Sequence, residues 1–261
     1  MKNLAQTIRQ LTVQPGSLAL IWLAQAGFAF KTPAAKIIYV DPYLTDSVQR
    51  LLPEYGLGFK RLTPSLIEPQ EVEADYVIST HSHQDHLDVD ALPIMARNPR
   101  ACFIGAPDCR AAYLDAGLPD SRFAILHQDE TLDLPGFQLT GVYADHGSLA
   151  PDALGLWFNF DGLRVWVVGD TAYRPERWGA QFAQNPDLLI PPINGAFGNL
   201  NEVEAARLAG DAHARWTLPC HFWMFPLHQG NPLRFLEACQ QHAPETKPLL
   251  LTPGEVYYLN G

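Results

Sequence analysis

The sequence predicts a fold of the α/β or α+β class, in which β-sheets are covered by helices. Apolar, β-favouring runs recur along the whole chain, and helix-like segments lie between many of them. No Ser/Gly-rich linker, charged block or short repeat divides the 261 residues. A chain of this length can bury a core without disulfide bonds. We therefore expect one domain over residues 1–261.

The first part of the chain contains strand-like segments and one long irregular stretch. Residues 18–30 and 36–40 are apolar runs, with Lys31-Thr32-Pro33 as the turn between them. Residues 43–73 contain three prolines and no strong periodicity, which is typical of a lid or a pocket wall. The next strand is expected over residues 74–80, directly before the most informative motif.

Strands and helices are interspersed through the rest of the chain. Asp90 is expected to cap a helix that has Pro93 in its first turn, and Asp161-Gly162 is typical of a turn between two paired strands. Helices are predicted over residues 90–97, 107–116, 201–212 and 232–242. Strands are predicted over residues 101–105, 123–126, 131–134, 137–144, 155–160, 164–168, 188–193, 215–220, 249–251 and 256–259.

The charge of the chain limits its partners. The formal net charge is −10 at pH 7, which disfavours nonspecific binding to nucleic acid or anionic membranes because both need a basic surface. We expect a small-molecule substrate and no nucleic-acid or membrane partner. The oligomeric state is left open, and a homo-oligomer is one alternative. An anionic substrate would have to be attracted by bound metals or by a few local Lys or Arg side chains.

The cysteines and the first apolar segment bear on the location of the protein. The four cysteines form no C-x-x-C pattern, so reduced thiols in a cytoplasmic protein are expected. Ala24-Gln25-Ala26 resembles the cleavage site of a signal peptide. However, the apolar run carries Trp22, is followed by Lys31 and is too short to span a bilayer. For residues 17–30 we favour a core strand over a signal peptide.

The segment from His81 to His86 reads H-x-H-x-D-H and is the strongest chemical signal in the chain. Side chains alternate along an extended segment, so His81 and His83 can project to the same side, with Asp85 and His86 on the turn beyond. Imidazole and carboxylate groups are suitable ligands for zinc, manganese and iron. The motif therefore predicts a metal site directly after the strand at residues 74–80.

Four ligands within six residues cannot all close comfortably around one metal, so further ligands are expected from distant strand ends. His146, Asp170 and His221 each follow a predicted strand, where loops build sites on a rigid scaffold. Taken alone, an aspartate after a strand, such as Asp170, is more typical of a turn or helix cap. A single histidine after a strand, such as His146 or His221, is more typical of a hydrogen-bonded loop residue. In combination with the first motif, these three residues predict a shared metal site.

This series, H-x-H-x-D-H followed by His, Asp and His at strand ends, resembles the metallo-β-lactamase superfamily over most of the chain. Narrower features are similar to the L-ascorbate-6-phosphate lactonase-like group, namely Trp22-Leu23-Ala24-Gln25-Ala26-Gly27-Phe28, Val40-Asp41-Pro42, Arg61-Leu62-Thr63-Pro64, Phe103-Ile104-Gly105-Ala106-Pro107 and Val168-Gly169-Asp170-Thr171. Compared with that group, Ala24 stands where a glycine is usual, and the stretch around His146 matches less well.

The resemblance implies a four-layer αβ/βα sandwich with two divalent metal ions at one edge of its two sheets. Zinc or manganese is expected, with iron as a further option. The implied ligands of the first metal are His81, His83 and His146. The implied ligands of the second metal are Asp85, His86 and His221, with Asp170 bridging the two. The implied chemistry is hydrolysis by a hydroxide bound between the metals, which Asp85 would orient as the catalytic residue.

Other residues are weaker candidates for the site. Asp41 could accept the outer N–H of a ligand histidine, or it could only end the strand before Pro42. Cys220 adjoins His221, but neighbours in an extended segment point apart, so a buried bystander is expected. A sugar phosphate would need a cation. Candidates in plausible rim segments are Lys60, Arg61, Arg174 and Arg177, although for each of them an ordinary solvated charge is favoured. Candidate residues for the lining of the substrate pocket are Tyr173, Asn194, Trp223 and His228.

Three functions fit these residues. The first is a metal-dependent lactonase that acts on a small sugar-acid lactone, with or without phosphate, such as L-ascorbate 6-phosphate. The second is a phosphodiesterase for small phosphodiesters or cyclic nucleotides, because the same hydroxide can attack phosphorus. The third is a degenerate metal-binding regulatory protein, which predicts missing ligands, whereas every ligand position is filled here. A diiron oxidoreductase would have Glu in place of His83. We expect the lactonase.

Overall fold

The computed structural model describes residues 3–261, and these residues form two seven-stranded β-sheets. The strands of the first sheet are β1 (Ser17–Trp22), β2 (Phe28–Lys31), β3 (Ile37–Val40), β4 (Tyr76–Ser79), β5 (Cys102–Gly105), β6 (Phe123–Ile125) and, near the end of the chain, β14 (Val256–Asn260). The strands of the second sheet are β7 (Thr131–Leu134), β8 (Phe137–Tyr143), β9 (Leu154–Phe160), β10 (Leu163–Val167), β11 (Leu188–Ile190), β12 (Trp216–Thr217) and β13 (Lys247–Pro248).

Both sheets are mixed, and they share one pattern of strand directions. The first has the order β14-β1-β2-β3-β4-β5-β6, with antiparallel pairs as far as β3 and parallel pairs beyond it. The second has the order β7-β8-β9-β10-β11-β12-β13, antiparallel as far as β10 and parallel beyond. Parallel strands end at the same sheet edge, so the loops that follow them are neighbours.

Aromatic side chains join the inner faces of the two sheets. Phe30 of β2 packs edge-on against Phe158 of β9, with ring centroids 5.5 Å apart. Tyr76 of β4 makes a similar contact with Phe137 of β8 at 5.3 Å. These rings belong to a large cluster of buried apolar side chains that includes residues from both sheets. The burial of this shared apolar surface therefore holds the two sheets together.

Helices pack on the outer faces of the sheets. Tyr113 contacts Phe103 of β5, and Trp178 contacts Trp166 of β10. The helices are α1 (Leu4–Gln10), α2 (Ser47–Leu51), α3 (Leu92–Met95), α4 (Arg110–Asp115), α5 (Gly179–Phe182), α6 (Glu202–Asp211) and α7 (Pro232–His242). The result is the predicted four-layer αβ/βα sandwich. Within residues 3–261, none of the helices combines the length and the apolar character needed to cross a bilayer.

Most predicted elements are present, but several bounds were wrong. The single core strand predicted over residues 18–30 is instead the β1–β2 hairpin, which is buried as expected. Helix α3 is shorter than predicted and Asp90 does not cap it, because Asp88 accepts the N–H groups of Asp90 and Ala91 instead. Residues 249–251 do not form a strand. Strand β12 has only two residues, and these pair with the two residues of β13, which ends at Pro248. All four cysteines are free, as expected.

The contact between the sheets gives a prediction about stability. Replacement of fully buried Phe30 in Phe30→Ala should lower the free energy of unfolding by about 3–5 kcal/mol, because it leaves a cavity between the sheets. Urea denaturation followed by circular dichroism measures this change. The control is Leu233→Ala on the exposed face of α7, which should change stability by less than about 0.5 kcal/mol. Equal effects of the two variants would contradict the packing described here.

Candidate metal centre

The predicted ligands follow strands that end at one edge of the two sheets. The segment from His81 to His86 follows β4, and His146 follows β8. Asp170 follows β10, while His221 lies beyond β12, where a bridge between Pro192 and Cys220 extends the parallel pairing. All seven side chains meet at this edge. The three groups of potential ligand atoms found among the described residues all draw on this set, with His228 in addition.

The first cluster consists of His81, His83 and His146. The Nε2 atom of His81 lies 2.9 Å from the Nδ1 atom of His83, and one nitrogen of each of the three rings lies within 4.8 Å of the others. His81 and His146 are buried, whereas His83 is partly exposed. Three imidazoles that face one another across such distances have the donor set of a divalent metal site.

The second cluster consists of Asp85, His86 and His221. The Nε2 atoms of His86 and His221 are 3.1 Å apart. The Oδ2 atom of Asp85 lies 3.3 Å from Nε2 of His221 and 3.7 Å from Nε2 of His86. The three side chains therefore converge on one point, as the first cluster does.

Asp170 lies between the two clusters. Its Oδ2 atom faces Nε2 of His146 at 3.7 Å, and its Oδ1 atom is 3.4 Å from Nε2 of His86 and 3.3 Å from Nε2 of His221. Its Oδ1 atom is buried and has no hydrogen-bond partner. The carboxylate thus presents one oxygen to each cluster, which is the arrangement expected of a residue that bridges two metals.

Hydrogen bonds behind three of the histidines direct their free nitrogens inward. His86 donates from Nδ1 to Oδ2 of Asp41 at 2.7 Å. His83 donates from Nε2 to the carbonyl oxygen of Leu149 at 3.1 Å, because a carbonyl can only accept. Nδ1 of His81 lies 3.0 Å from the hydroxyl of Thr80. These contacts fix the ring orientations and leave the inward nitrogens with their lone pairs.

Asp41 also holds the loop that carries the first motif. Its carboxylate accepts the N–H of Thr80 at 2.8 Å and the hydroxyl of Thr80 at 2.8 Å. Since the hydroxyl donates to Asp41, it can accept from Nδ1 of His81. One buried carboxylate therefore orients a histidine in each cluster, His86 directly and His81 through Thr80.

Three residues of this edge have left-handed backbone conformations. The φ angles of Asp41, Gln25 and His221 are 45°, 50° and 63°. Non-glycine residues rarely adopt such angles, and each costs of order 1–3 kcal/mol unless the surroundings hold it. Here the N–H of His221 donates to the carbonyl oxygen of Gln25 at 2.9 Å, so two of these residues hold each other in place.

Neighbouring charges keep two carboxylates of the site ionised, those of Asp85 and Asp170. Burial disfavours the charged form of Asp85, but His86 and His221 outweigh it and hold the pKa of Asp85 well below its usual range. His221 and His86 similarly outweigh burial and hold the pKa of Asp170 well below its usual range. Burial and the proximity of His86 lower the pKa of His81 well below its ordinary value. Ionised carboxylates and neutral imidazole are the forms that bind metals.

The surroundings of His86 favour positive charge. Burial opposes protonation of this ring, but the carboxylates of Asp170, Asp85 and Asp41 outweigh burial and raise the pKa of His86 well above its ordinary value. No Lys or Arg side chain forms an ion pair with any of these carboxylates among the described residues. Buried carboxylates of this kind require a cation, and the donor set fits divalent metals.

A cavity of about 370 Å³, here called the central cavity, opens above the two clusters. Its base includes His83, Asp85, His146, Asp170 and His221. The remaining lining residues form its walls, and they are Val48, Leu52, Glu54, Tyr55, Phe59, Gln84, Leu149, Phe197, Asn199 and His228. The prediction that residues 43–73 form a pocket wall is therefore confirmed for the part between Val48 and Phe59.

Comparison with known proteins identifies the family. Residues 19–221 match the family described as the beta-lactamase superfamily domain. The chain belongs to the metallo-β-lactamase superfamily. A relative from Polynucleobacter asymbioticus, named a UPF0173 metal-dependent hydrolase, is 26% identical over 92% of this chain and 86% of its own length.

Solved structures show the same superfamily fold. Igni18, a metallo hydrolase from Ignicoccus hospitalis, has a TM-score of 0.73 and 22% identity, with 94% of this chain and 99% of that chain covered. An isothiocyanate hydrolase from Delia radicum gut bacteria has a TM-score of 0.73 and 18% identity, with 93% and 100% covered. These similarities confirm the predicted fold class, and at such identities they extend to the fold alone.

Sequence reasoning missed Gln25 as part of this superfamily site. Its side chain is fully buried, and its Nε2 atom lies 2.8 Å from Oδ2 of Asp85 and 3.0 Å from Nδ1 of His228. The Nε2 atom carries two protons, and it can donate one to the carboxylate of Asp85 and the other to Nδ1 of His228. The opposite orientation of the amide would place its oxygen against the carboxylate of Asp85. The segment around Gln25 resembles the lactonase-like group, but the contacts of Gln25 with Asp85 and His228 depend on residues far away in sequence.

Of the four predicted pocket residues, only His228 lines the central cavity. Burial lowers the pKa of His228 to about 3, so its ring is neutral, and it stacks on His221 with centroids 4.6 Å apart. The structure places the other three outside the lining. Tyr173 donates its hydroxyl to Asp211, Asn194 is buried beside Ala196, and Trp223 is 60% exposed.

The predicted cations do not line the central cavity either. Arg61 donates to the carbonyl oxygens of Tyr43, Thr45 and Thr63, so it holds the loop together. Arg174 pairs with Asp145. Lys60 and Arg177 are exposed, and neither belongs to the lining. Cys220 is buried and likewise absent from the lining, as expected of a bystander.

The hydrogen bond between Asp41 and His86 gives a prediction about metal affinity. Asp41→Asn should weaken metal binding about 10- to 100-fold, because it removes the carboxylate that fixes His86. Competition with a chromophoric chelator measures the affinity. Asp75→Asn is the matched control, since Asp75 accepts the N–H of Ile37 at the opposite end of β4. Equal affinity in Asp41→Asn and the unaltered protein would disprove this role.

Proposed function

We propose that this metal-dependent hydrolase of the metallo-β-lactamase superfamily opens small lactones by adding water to the ring carbonyl. The observation that carries the proposal is the lining of the central cavity, which combines potential metal ligands with no Lys or Arg side chain from residues 3–261. A phosphodiester carries a negative charge that is usually matched by such cations, whereas a lactone is uncharged. The likeness of residues 22–28 to the lactonase-like group supports the same choice.

The seven ligand positions divide into two proposed sets. Zinc and manganese both suit ligands of nitrogen and oxygen alone, and iron is a further option. When bound, such ions supply water of lowered pKa and polarise the substrate carbonyl. The first set is His81, His83 and His146. The second set is Asp85, His86 and His221, with Asp170 shared between the two.

Asp85 is proposed as the residue that orients the attacking water and moves its proton. Its side chain is 14% exposed and lines the central cavity, while Gln25 donates to its Oδ2 atom at 2.8 Å. Water adds to the carbonyl carbon, and the ring C–O bond then breaks. The proton taken up by Asp85 passes to the departing alkoxide oxygen, which gives a hydroxy acid. Gln25 keeps the carboxylate aligned throughout.

A substrate panel tests the proposal. The purified protein, supplied with zinc or manganese, should hydrolyse simple lactones with a kcat/KM at least about tenfold above that for bis-aryl phosphates, cyclic nucleotides or an aryl isothiocyanate; tenfold corresponds to about 1.4 kcal/mol of transition-state binding. The isothiocyanate is included because one structural neighbour hydrolyses that class. A preference for either phosphate substrate would favour a phosphodiesterase and contradict the proposal.

Substitution of the proposed proton carrier separates enzymes from metal-binding regulators. Asp85→Ala should lower kcat for the lactone by about 10²–10⁴-fold, because the general base is lost. Asp115→Ala, on the exposed face of α4, is the control and should keep full activity. If turnover and metal content both survived in Asp85→Ala, the proposed mechanism would be wrong. Absence of any hydrolysis by the metal-loaded protein would favour the regulatory alternative.

A further inference from the structure

We infer that the central cavity selects an uncharged substrate, which Asn199 holds by hydrogen bonds and whose apolar end lies against Phe59 and Phe197. This inference rests on the proposed function, because it concerns the non-reacting part of the same lactone. Three separate features of the cavity support it. They are an unpartnered amide, an aromatic wall and a rim that carries a carboxylate but no cation.

Asn199 is a polar side chain in the cavity wall that has no hydrogen-bond partner among the described residues. It is only 6% exposed and lines the central cavity, yet neither Oδ1 nor Nδ2 makes a hydrogen bond. Asn201, two residues later, instead uses its side chain to cap α6. A buried polar group without a partner costs about 1–3 kcal/mol. This cost is offset when a ligand in the cavity supplies a donor or an acceptor.

The loop that carries Asn199 is fixed to the metal centre. The N–H of Leu200 donates to the carbonyl oxygen of Thr171 at 3.0 Å, directly after Asp170. The N–H of Asn199 donates to Ala196, and that of Gly195 donates to Leu200. The amide of Asn199 is therefore held at a defined position relative to the reacting centre, where it can bind a polar group of the substrate.

Aromatic side chains from two segments, one of them the loop that carries Asn199, form a second part of the cavity wall. The ring of Phe59 lies 4.9 Å from that of Tyr55, 5.7 Å from that of Phe197 and 5.9 Å from that of His228. Tyr55, Leu149 and Phe197 are between 38% and 55% exposed, although they are large and apolar. Exposed apolar side chains that cluster around a cavity mark a surface that binds apolar groups.

The charges around the cavity disfavour an anionic tail. Glu54 is the exposed carboxylate of the rim, and within the described part of the chain neither Lys nor Arg belongs to the lining. Cations bound to the two clusters would contact the reacting carbonyl at the base, not the far end of the substrate. A terminal phosphate or carboxylate would therefore meet Glu54 and an apolar wall without a compensating partner. This favours an unphosphorylated lactone over a sugar phosphate.

A series of γ-lactones tests the inference on the metal-loaded protein. From γ-butyrolactone to γ-octalactone and γ-decalactone, kcat/KM should rise by up to about fourfold for each methylene that is buried. A lactone of the same length as γ-decalactone that ends in a carboxylate should react at least about tenfold more slowly, because its charge would lose water without gaining a partner. A preference for the carboxylate-ended lactone would overturn the inference.

Variants of the cavity residues test which side chains select the substrate. Asn199→Ala should raise KM about three- to tenfold with a small change in kcat, because a hydrogen bond to bound substrate is lost. Phe197→Ala should reduce the rise in kcat/KM with the length of the lactone's alkyl tail. Glu54→Gln should reduce the discrimination against the carboxylate-ended lactone. Glu237→Gln, on the exposed face of α7, is the matched control for charge and should leave the discrimination unchanged.

Binding of an inert γ-lactam with an alkyl tail separates this inference from the proposed function. Calorimetry should show about three- to tenfold weaker lactam binding in Asn199→Ala than in the unaltered protein. Lactam binding that depends on tail length and on Asn199, without any lactone turnover, would contradict the proposed function and support the inference. The opposite result is lactone turnover together with lactam binding whose affinity depends neither on tail length nor on Asn199. It would support the proposed function and overturn the inference.

Discussion

The buried carboxylate of Asp170, placed between two groups of histidines, is the constraint on which the site depends. Its two oxygens face different clusters, and two more carboxylates lie nearby, the buried one of Asp41 and the partly buried one of Asp85. A concentration of negative charge inside a protein is costly unless cations compensate it. No Lys or Arg pairs with these three carboxylates among the described residues, so metal ions are the natural compensation.

The fold supplies the geometry that this constraint demands. Each sheet places loops at the carboxyl ends of its parallel strands, and the packing of the sheets brings the two sets of loops together. Left-handed backbone at Asp41, Gln25 and His221 adds strain at the same edge. The buried apolar surface between the sheets stabilises the fold and offsets this strain at the edge where the side chains converge.

The sequence was sufficient for the residues whose signal is local. The H-x-H-x-D-H motif and ligand-type residues directly after strands predicted that His146, Asp170 and His221 would join the first motif, and the structure brings all seven together. The tautomer of His86, by contrast, depends on Asp41, which follows another strand, β3. The sequence alone leaves two equal alternatives for Asp41, because a residue before proline has a structural reason of its own.

The walls of the cavity were harder to predict than its base. The irregular stretch of residues 43–73 indicated a pocket wall, but nothing local showed that Phe59 would meet Phe197 or that Asn199 would lack a partner. Tyr173, Asn194 and Trp223 each follow a strand of the second sheet, but the direction of each loop takes them away from the lining. Pocket linings depend on long-range packing, whereas metal motifs depend on strand ends.

The number of metal ions bound per chain tests the central claim most directly. The protein is saturated with zinc, freed of unbound metal and measured by elemental analysis, in parallel with Asp170→Asn. Two ions per chain are expected for the unaltered protein, with weaker retention of both in Asp170→Asn, because the shared carboxylate has become an amide. One ion or none in the unaltered protein, or two ions held equally well by the variant, would contradict a two-metal centre organised by Asp170.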